Sequence, residues 1–162
     1  MYIEQADLLR GMDRDFLKKL IEITTKESFS TGDILFREGD QARFFYILLK
    51  GDIKLSIGET GHVFYTVSHP GEAFGWSCLV GRNAYSASAE CRAPTKLLRI
   101  ESDSLQELVE KNPANGLIFF RRLAWLLGNR LINSYRVISS GSQAEISPAL
   151  GTGQVLESLE MV

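Results

Sequence analysis

The sequence has few cysteines, prolines and histidines. Its 162 residues include two cysteines, four prolines and two histidines. Two cysteines cannot supply the set of disulfides that holds a small secreted scaffold together. We therefore interpret Cys78 and Cys91 as buried thiols, with a redox pair as the alternative. His62 and His69 lie seven positions apart, and no cysteine pair has the short spacing of a zinc site, so no metal site is expected.

An excess of one charge and long apolar runs are also lacking. The 18 basic and 20 acidic residues give a formal net charge of −2, without the basic excess of a general nucleic-acid binder. No apolar run approaches the roughly 18 to 20 residues that span a bilayer. The first residues carry neither the basic nor the apolar region of a signal peptide. We expect a cytoplasmic protein with no membrane segment.

Between Phe29 and Ile100 the chain consists of short apolar segments separated by glycines. Apolar and polar residues alternate in several of them, which is typical of strands with one buried face. Many short strands with turn glycines predict a jelly roll, sandwich or barrel. The predicted strand segments are 34–36, 44–49, 53–57, 63–67, 87–91 and 96–100.

Helical periodicity appears on both sides of this region. Residues 7–26 carry apolar side chains at steps of three and four, which predicts a helix. Residues 102–111 also read as helix, with Ser102 and Asp103 as candidate caps. A long helix is expected from Pro113 to about Ile138, since proline is favoured in a first turn. We expect one domain over residues 1–138 and a flexible tail over 139–162.

The ordered motifs resemble one known family. The segments 32–40 and 46–55 contain a glycine before a strand, a Gly-Asp turn and a Tyr-Ile-Leu hairpin, and the match continues through 71–75 and 85–89. In this order and spacing they resemble the cyclic nucleotide-binding domain family over about residues 7–138. The resemblance implies a mainly β fold with flanking helices, a jelly-roll or double-stranded β-helix followed by a long C-terminal helix.

The resemblance also locates a phosphate-binding cassette. In the family, the loop after a Phe-Gly pair carries a short helix that faces the cyclic phosphate. A glutamate directly after that glycine binds the ribose 2′-hydroxyl, and an arginine near the end of the loop neutralises the phosphate. Here the pair is Phe74 and Gly75, Trp76 occupies the glutamate position, and Tyr85 occupies the arginine position. Glu72 falls in the preceding turn and does not replace the missing glutamate.

Three interpretations of Trp76 and Tyr85 follow. The two aromatic side chains could fill the emptied pocket as core, or stack on an apolar or aromatic ligand. In the third interpretation Arg82 replaces the lost arginine. A cyclic nucleotide or another small ligand is the only candidate cofactor. The candidate pocket residues are Phe74, Gly75, Trp76, Ser77, Cys78, Arg82, Tyr85, Ser86 and Ala87.

We predict a non-catalytic ligand-sensing or regulatory module that does not bind cyclic AMP or cyclic GMP in the usual way. One alternative is a genuine cyclic nucleotide receptor with an unusual cassette. Another is a cupin-like β-roll enzyme, against which the absence of a histidine cluster counts. No catalytic residue is identified. After Ile138 only 24 residues remain, too few for a winged helix of about 60, so no DNA-binding domain is expected in this chain.

The long helix predicts self-association. Apolar or small residues recur along it in 4-3 steps, which is the seam of a parallel coiled coil. We expect a homodimer, and a further protein partner remains open. The predicted seam consists of Phe120, Ala124, Leu127, Leu131, Ser134 and Ile138.

Overall fold

Strands dominate the middle of the chain in the computed structural model, which describes residues 6–141. Within that part the strands are β1 (Thr24–Phe29), β2 (Ile34–Phe36), β3 (Phe44–Lys50), β4 (Ile53–Ile57), β5 (His62–Val67), β6 (Ala73–Phe74), β7 (Ser88–Cys91) and β8 (Thr95–Glu101). They form two four-stranded antiparallel sheets in the orders β1-β8-β3-β6 and β2-β7-β4-β5. The predicted mainly β fold is confirmed.

Helices lie on both sides of the strands in sequence. They are a 3-10 helix at Asp7–Leu9, α1 (Arg14–Glu22), a 3-10 helix at Trp76–Val80, α2 (Ser102–Lys111) and α3 (Pro113–Gly141). The chain divides into two compact units after Leu123. The first contains the two sheets, the short helices and the start of α3, and the second contains the rest of α3. No helix within residues 6–141 is long and apolar enough to cross a membrane.

The main core lies between the two sheets. On β3, Tyr46 and Leu48 belong to the inter-sheet cluster, while Phe45 packs edge-on against Phe119 of α3 with ring centroids 6.1 Å apart. Both faces of β3 are therefore buried, which accounts for its nearly continuous apolar sequence. The inter-sheet cluster comprises Phe36, Ala42, Tyr46, Leu48, Ile53, Leu55, Val67, Phe74, Tyr85, Ala89, Cys91 and Leu97.

The N-terminal helix is shorter than the sequence predicted. The expected helix over 7–26 is wrong at both ends. Residues 10–13 separate the 3-10 helix Asp7–Leu9 from α1, which begins at Arg14, and α1 stops at Glu22 because Thr24 already belongs to β1. The Thr24 hydroxyl donates to the Leu20 carbonyl at 2.6 Å, and the β-branched residue then pairs with Ile100 of β8. Tertiary pairing has overridden a helical pattern that ran on for one more turn.

Two helix ends differ from the predicted caps or lengths. The N-cap residue of α2 is Glu101, so Ser102 and Asp103 lie inside the helix instead of capping it. Pro113 begins α3 as expected, but the helix continues to Gly141, three residues past the predicted end at Ile138. The remainder of the expected tail, residues 142–162, lies outside the described residues.

Candidate ligand-binding site

The cassette is a short 3-10 helix bounded by two left-handed glycines. Gly75 precedes the helix Trp76–Val80 with φ of 71°, and Gly81 follows it with φ of 79°. A Cβ atom at Gly75 would lie 2.8 Å from Cδ2 of Tyr46. Glycine is therefore needed at position 75 both for its positive φ and for the close approach of the backbone to the Tyr46 ring.

Tyr85 is held in place through its backbone and its side chain. Its amide donates to the Asp40 carbonyl at 2.9 Å, and its carbonyl accepts from the Gly39 amide at 2.9 Å. The side chain is only 4% exposed. Its hydroxyl donates to the Phe44 carbonyl at 2.8 Å and accepts from the Phe44 amide at 3.0 Å. Both hydrogen-bonding functions of the phenol are thus used by the backbone of β3.

Tyr85 belongs to an aromatic cluster made up of Phe36, Tyr46, Phe74 and Tyr85. The Tyr85 ring stacks on Phe36 with centroids 3.8 Å apart and an interplanar angle of 16°. Tyr46 continues the cluster, 5.6 Å from Phe36 and 5.1 Å from Phe74. Burial raises the pKa of both tyrosines above the ordinary value, so both phenols are neutral at physiological pH.

The cassette residues predicted from the sequence fall into separate places. Phe74 and Tyr85 meet in the aromatic cluster, and Ser77 and Ala87 are buried. Trp76 is half-buried and Ser86 is exposed. The sequence did not identify Phe36, Phe44 and Tyr46 as neighbours of Tyr85. Their alternation on strands indicates which faces are buried, but not which distant side chain each one meets.

Cys78 packs against the inter-sheet cluster, whereas Arg82 lies outside it. Arg82 is exposed, and both residues line a groove of about 530 Å³ between the cassette and the start of α2. The Cys78 thiol donates to the Gly75 carbonyl, with sulfur and oxygen 3.5 Å apart. Burial raises the Cys78 pKa to about 11, although a hydrogen bond with Ser102 partly offsets this effect. The thiol is therefore protonated at neutral pH.

The two cysteines are both free. Cys91 is fully buried in the inter-sheet cluster, and burial raises the pKa of its thiol. The expectation of two buried thiols is confirmed for Cys91, whereas Cys78 is only half-buried. Among residues 6–141, no group of three or more histidine, cysteine, aspartate or glutamate side chains is arranged to hold a metal ion.

Comparison with known proteins now assigns the fold to a family. The family model described as the cyclic nucleotide-binding domain matches residues 26–112, more than half of the chain. The chain belongs to the cyclic nucleotide-binding domain family. The matched segment begins in β1, includes the whole cassette and ends after α2. The resemblance read from the sequence motifs is confirmed, and with it the assignment to a family of regulatory domains.

The curated relatives compared with this chain are larger proteins. The chain is 30% identical over 90 residues to cGMP-dependent protein kinase 2 of Homo sapiens, an alignment that covers 54% of this chain and 12% of the kinase. It is 21% identical over 131 residues to the cyclic nucleotide-gated channel beta-3 of Mus musculus, covering 79% of this chain and 19% of the channel. The chain therefore spans about an eighth of the kinase and a fifth of the channel.

Solved bacterial members of the family match over most of their length. A cyclic nucleotide-binding protein of Geobacter metallireducens superposes with a TM-score of 0.71 at 27% identity, covering 81% of this chain and 98% of that one. A cyclic nucleotide-binding domain of Methylobacillus flagellatus gives a TM-score of 0.75 at 22% identity, covering 90% and 83%. Both likenesses support the β-roll fold.

Proposed function

We propose that this chain is a non-catalytic regulatory module that does not bind cyclic AMP or cyclic GMP in the manner usual for its family. The observation that carries the proposal is the buried hydroxyl of Tyr85, which bonds both backbone groups of Phe44. Tyr85 stands where the family resemblance places the phosphate-binding arginine. The interpretation of Tyr85 as a core residue is the one this geometry supports.

Tyr85 offers nothing to a cyclic phosphate. Its phenol is neutral because burial raises its pKa, and its donor and acceptor are already engaged. One ring face is covered by Phe36 at 3.8 Å, so a ligand ring stacked between Trp76 and Tyr85 has little support. Arg82 is exposed at the groove beside the cassette, and its position does not favour the interpretation in which it replaces the lost arginine.

Trp76 removes the second polar contact of the family's binding mode, the one between the glutamate and the ribose. An indole can donate one hydrogen bond but cannot accept one from the ribose 2′-hydroxyl, as a carboxylate does. Losing a charged partner in a desolvated site costs about 2–5 kcal/mol. At about 1.4 kcal/mol for each factor of ten, the expected loss of affinity is roughly 30-fold to 4000-fold.

Isothermal titration calorimetry with cyclic AMP and cyclic GMP tests the proposal directly. We expect no saturable binding by the wild-type protein at micromolar concentrations. Human cGMP-dependent protein kinase 2, titrated with cGMP in the same buffer, shows that the assay detects binding. Saturable micromolar binding of either nucleotide to the wild-type chain would contradict the proposal and favour the alternative of a genuine receptor with an unusual cassette.

Two variants test whether cyclic nucleotide binding can be restored. Trp76→Glu supplies the missing carboxylate alone, whereas Trp76→Glu combined with Tyr85→Arg supplies both family contacts. If Trp76 and Tyr85 together prevent nucleotide binding in the family's usual manner, the single variant should not bind cyclic AMP or cyclic GMP. The folded double variant should bind at least one of them. Thermal unfolding of each variant shows whether it is folded before titration. Equal affinity of the wild-type protein and the folded double variant for these nucleotides would also count against the proposal.

We further propose that the module is a homodimer joined through α3. Several large apolar side chains on the second unit are exposed, including Leu131 at 51% and Ile138 at 56%. Both belong to the predicted seam, together with Ala124, which is also exposed, and Leu127, which is half-exposed. Burial of such side chains against a second helix would stabilise a symmetric pair. A cytoplasmic location and a further protein partner stay predictions.

A further inference from the structure

The groove between the cassette and the start of α2 is lined mainly by polar and charged residues. Its volume is about 530 Å³, within the usual range of roughly 300–1,000 Å³ for small-molecule pockets. We propose that it binds a small zwitterion of the amino-acid class. The proposal goes beyond the function above and does not depend on whether cyclic nucleotides bind. The groove is lined by Gln41, Ala42, Arg43, Cys78, Gly81, Arg82, Asn83, Glu101, Ser102 and Asp103.

Backbone hydrogen bonds fix the walls of this groove. The Ala42 amide donates to the Asn83 carbonyl at 2.9 Å, which joins the segment before β3 to the end of the cassette. The Ser102 amide donates to the Arg43 carbonyl at 2.9 Å, which joins the start of α2 to that same segment. Three separate parts of the chain are thus held together around one space. A preformed site loses less entropy when a ligand binds.

Exposed residues of both charge signs line the groove. Arg43 and Arg82 contribute two positive charges, and Glu101 and Asp103 contribute two negative charges. Within residues 6–141 none of these four side chains forms an ion pair, either with another of the four or elsewhere. A ligand with a carboxylate and an ammonium group can pair with both kinds of side chain at once, whereas an ion of one sign meets repulsion from half of them.

The uncharged lining suits the same ligand. Gln41, Asn83 and Ser102 supply amide and hydroxyl groups that hydrogen-bond to either end of an amino acid. Cys78 adds no charge, since its pKa of about 11 keeps the thiol protonated at neutral pH. The charge balance of the groove therefore rests on the two arginines and the two carboxylates.

A thermal-shift screen with the twenty free L-amino acids tests the inference on the wild-type chain. We expect at least one amino acid to raise the melting temperature, because a ligand that binds only the native state stabilises it. For each hit, the N-acetyl derivative lacks the ammonium charge and the amino-acid amide lacks the carboxylate. Both derivatives are expected to bind at least about tenfold more weakly, the loss of one charged hydrogen bond.

Variants of groove residues test whether the amino acid binds in the groove. Arg82→Ala and Asp103→Asn change exposed groove residues, and each should weaken the hit about tenfold in calorimetry. Arg37→Ala removes an exposed arginine outside the groove and should leave the affinity unchanged. The inference is overturned if no amino acid raises the melting temperature, if both groove variants bind like wild type, or if the N-acetyl derivative binds as well as the parent. Trp76 and Tyr85 are unchanged in all these variants, so this outcome is independent of the cyclic nucleotide titrations.

Discussion

A single hydroxyl group ties the end of the cassette to β3 (Phe44–Lys50). Where the family resemblance places an arginine that meets a phosphate, Tyr85 instead closes two hydrogen bonds with Phe44 of its own chain. These two hydrogen bonds lie within the chain and need no ligand. The aromatic ring adds stacking on Phe36, so the substitution gains packing as well as hydrogen bonds.

Removing that hydroxyl should destabilise the protein. Tyr85→Phe leaves the amide and the carbonyl of Phe44 without their partner in a part-buried position. The expected cost is about 1–3 kcal/mol in the free energy of unfolding. Urea denaturation followed by circular dichroism measures it. Tyr135→Phe, at an exposed tyrosine, is the matched control and should change the free energy by less than about 0.5 kcal/mol. Equal stability of both variants would show that the Phe44 contact contributes nothing.

The cassette positions of these residues could be predicted from the sequence, but their contacts with distant residues could not. The aromatic residues at positions 76 and 85 could be recognised because the motifs around them fix the spacing of the cassette. That Tyr85 bonds Phe44, 41 positions away, could not be read from the chain. Contacts between distant residues depend on the register of the sheets, which periodicity alone does not determine.

At the scale of one element, the cassette helix Trp76–Val80 is too short to be stable by itself. Its position depends on the left-handed glycines at its two ends and on the Arg82 amide, which donates to the Ser77 carbonyl at 3.1 Å. The two glycines share a conformation but differ in surroundings. A Cβ at Gly75 would meet the Tyr46 ring at 2.8 Å, whereas a Cβ at Gly81 would meet nothing within 4 Å.

This difference gives a matched pair of substitutions. Gly81→Ala should cost about 1–2 kcal/mol, the penalty of a left-handed conformation for an L-residue. Gly75→Ala carries the same penalty and in addition displaces the ring of Tyr46, so its cost should be larger by at least about 1 kcal/mol. Chemical denaturation of both variants under one set of conditions measures the difference. If Gly75→Ala proves no more destabilising than Gly81→Ala, the close approach to Tyr46 is not tight in solution.

Elements were predicted best where a local signal marks their ends. Pro113 begins α3, and the helix at 102–111 has the predicted bounds. The helical periodicity did not predict the end of α1, because it continued through Thr24. Thr24 and the residues after it form the edge strand β1, which pairs with β8. The two-residue strand β6 was also missed, since Ala73 and Phe74 are too few to show alternation. Both misses are strands whose existence depends on a partner far away in sequence.

At the scale of the whole molecule, the fold and the site carry different information. The family assignment rests on residues 26–112, and it holds although the side chains that resemblance assigns to the nucleotide are replaced. Glycines and apolar strand positions specify the β-roll, and they are independent of the two charged contacts. The family assignment therefore does not depend on those two contacts, and the function has to be argued from the site.

The proposed homodimer, joined through α3 of the second unit, can be tested on the whole molecule. In a parallel pair the seam residues Leu127 and Leu131 would meet their copies, so Leu127→Glu would place two like charges in one apolar layer. We expect wild-type protein at micromolar concentration to have twice the chain mass of 18.1 kDa in light scattering. Leu127→Glu should give folded monomers, while Arg136→Glu, an exposed change off the seam, should leave the dimer intact. A wild-type mass of one chain, or a dimer unaffected by Leu127→Glu, would contradict association through this helix.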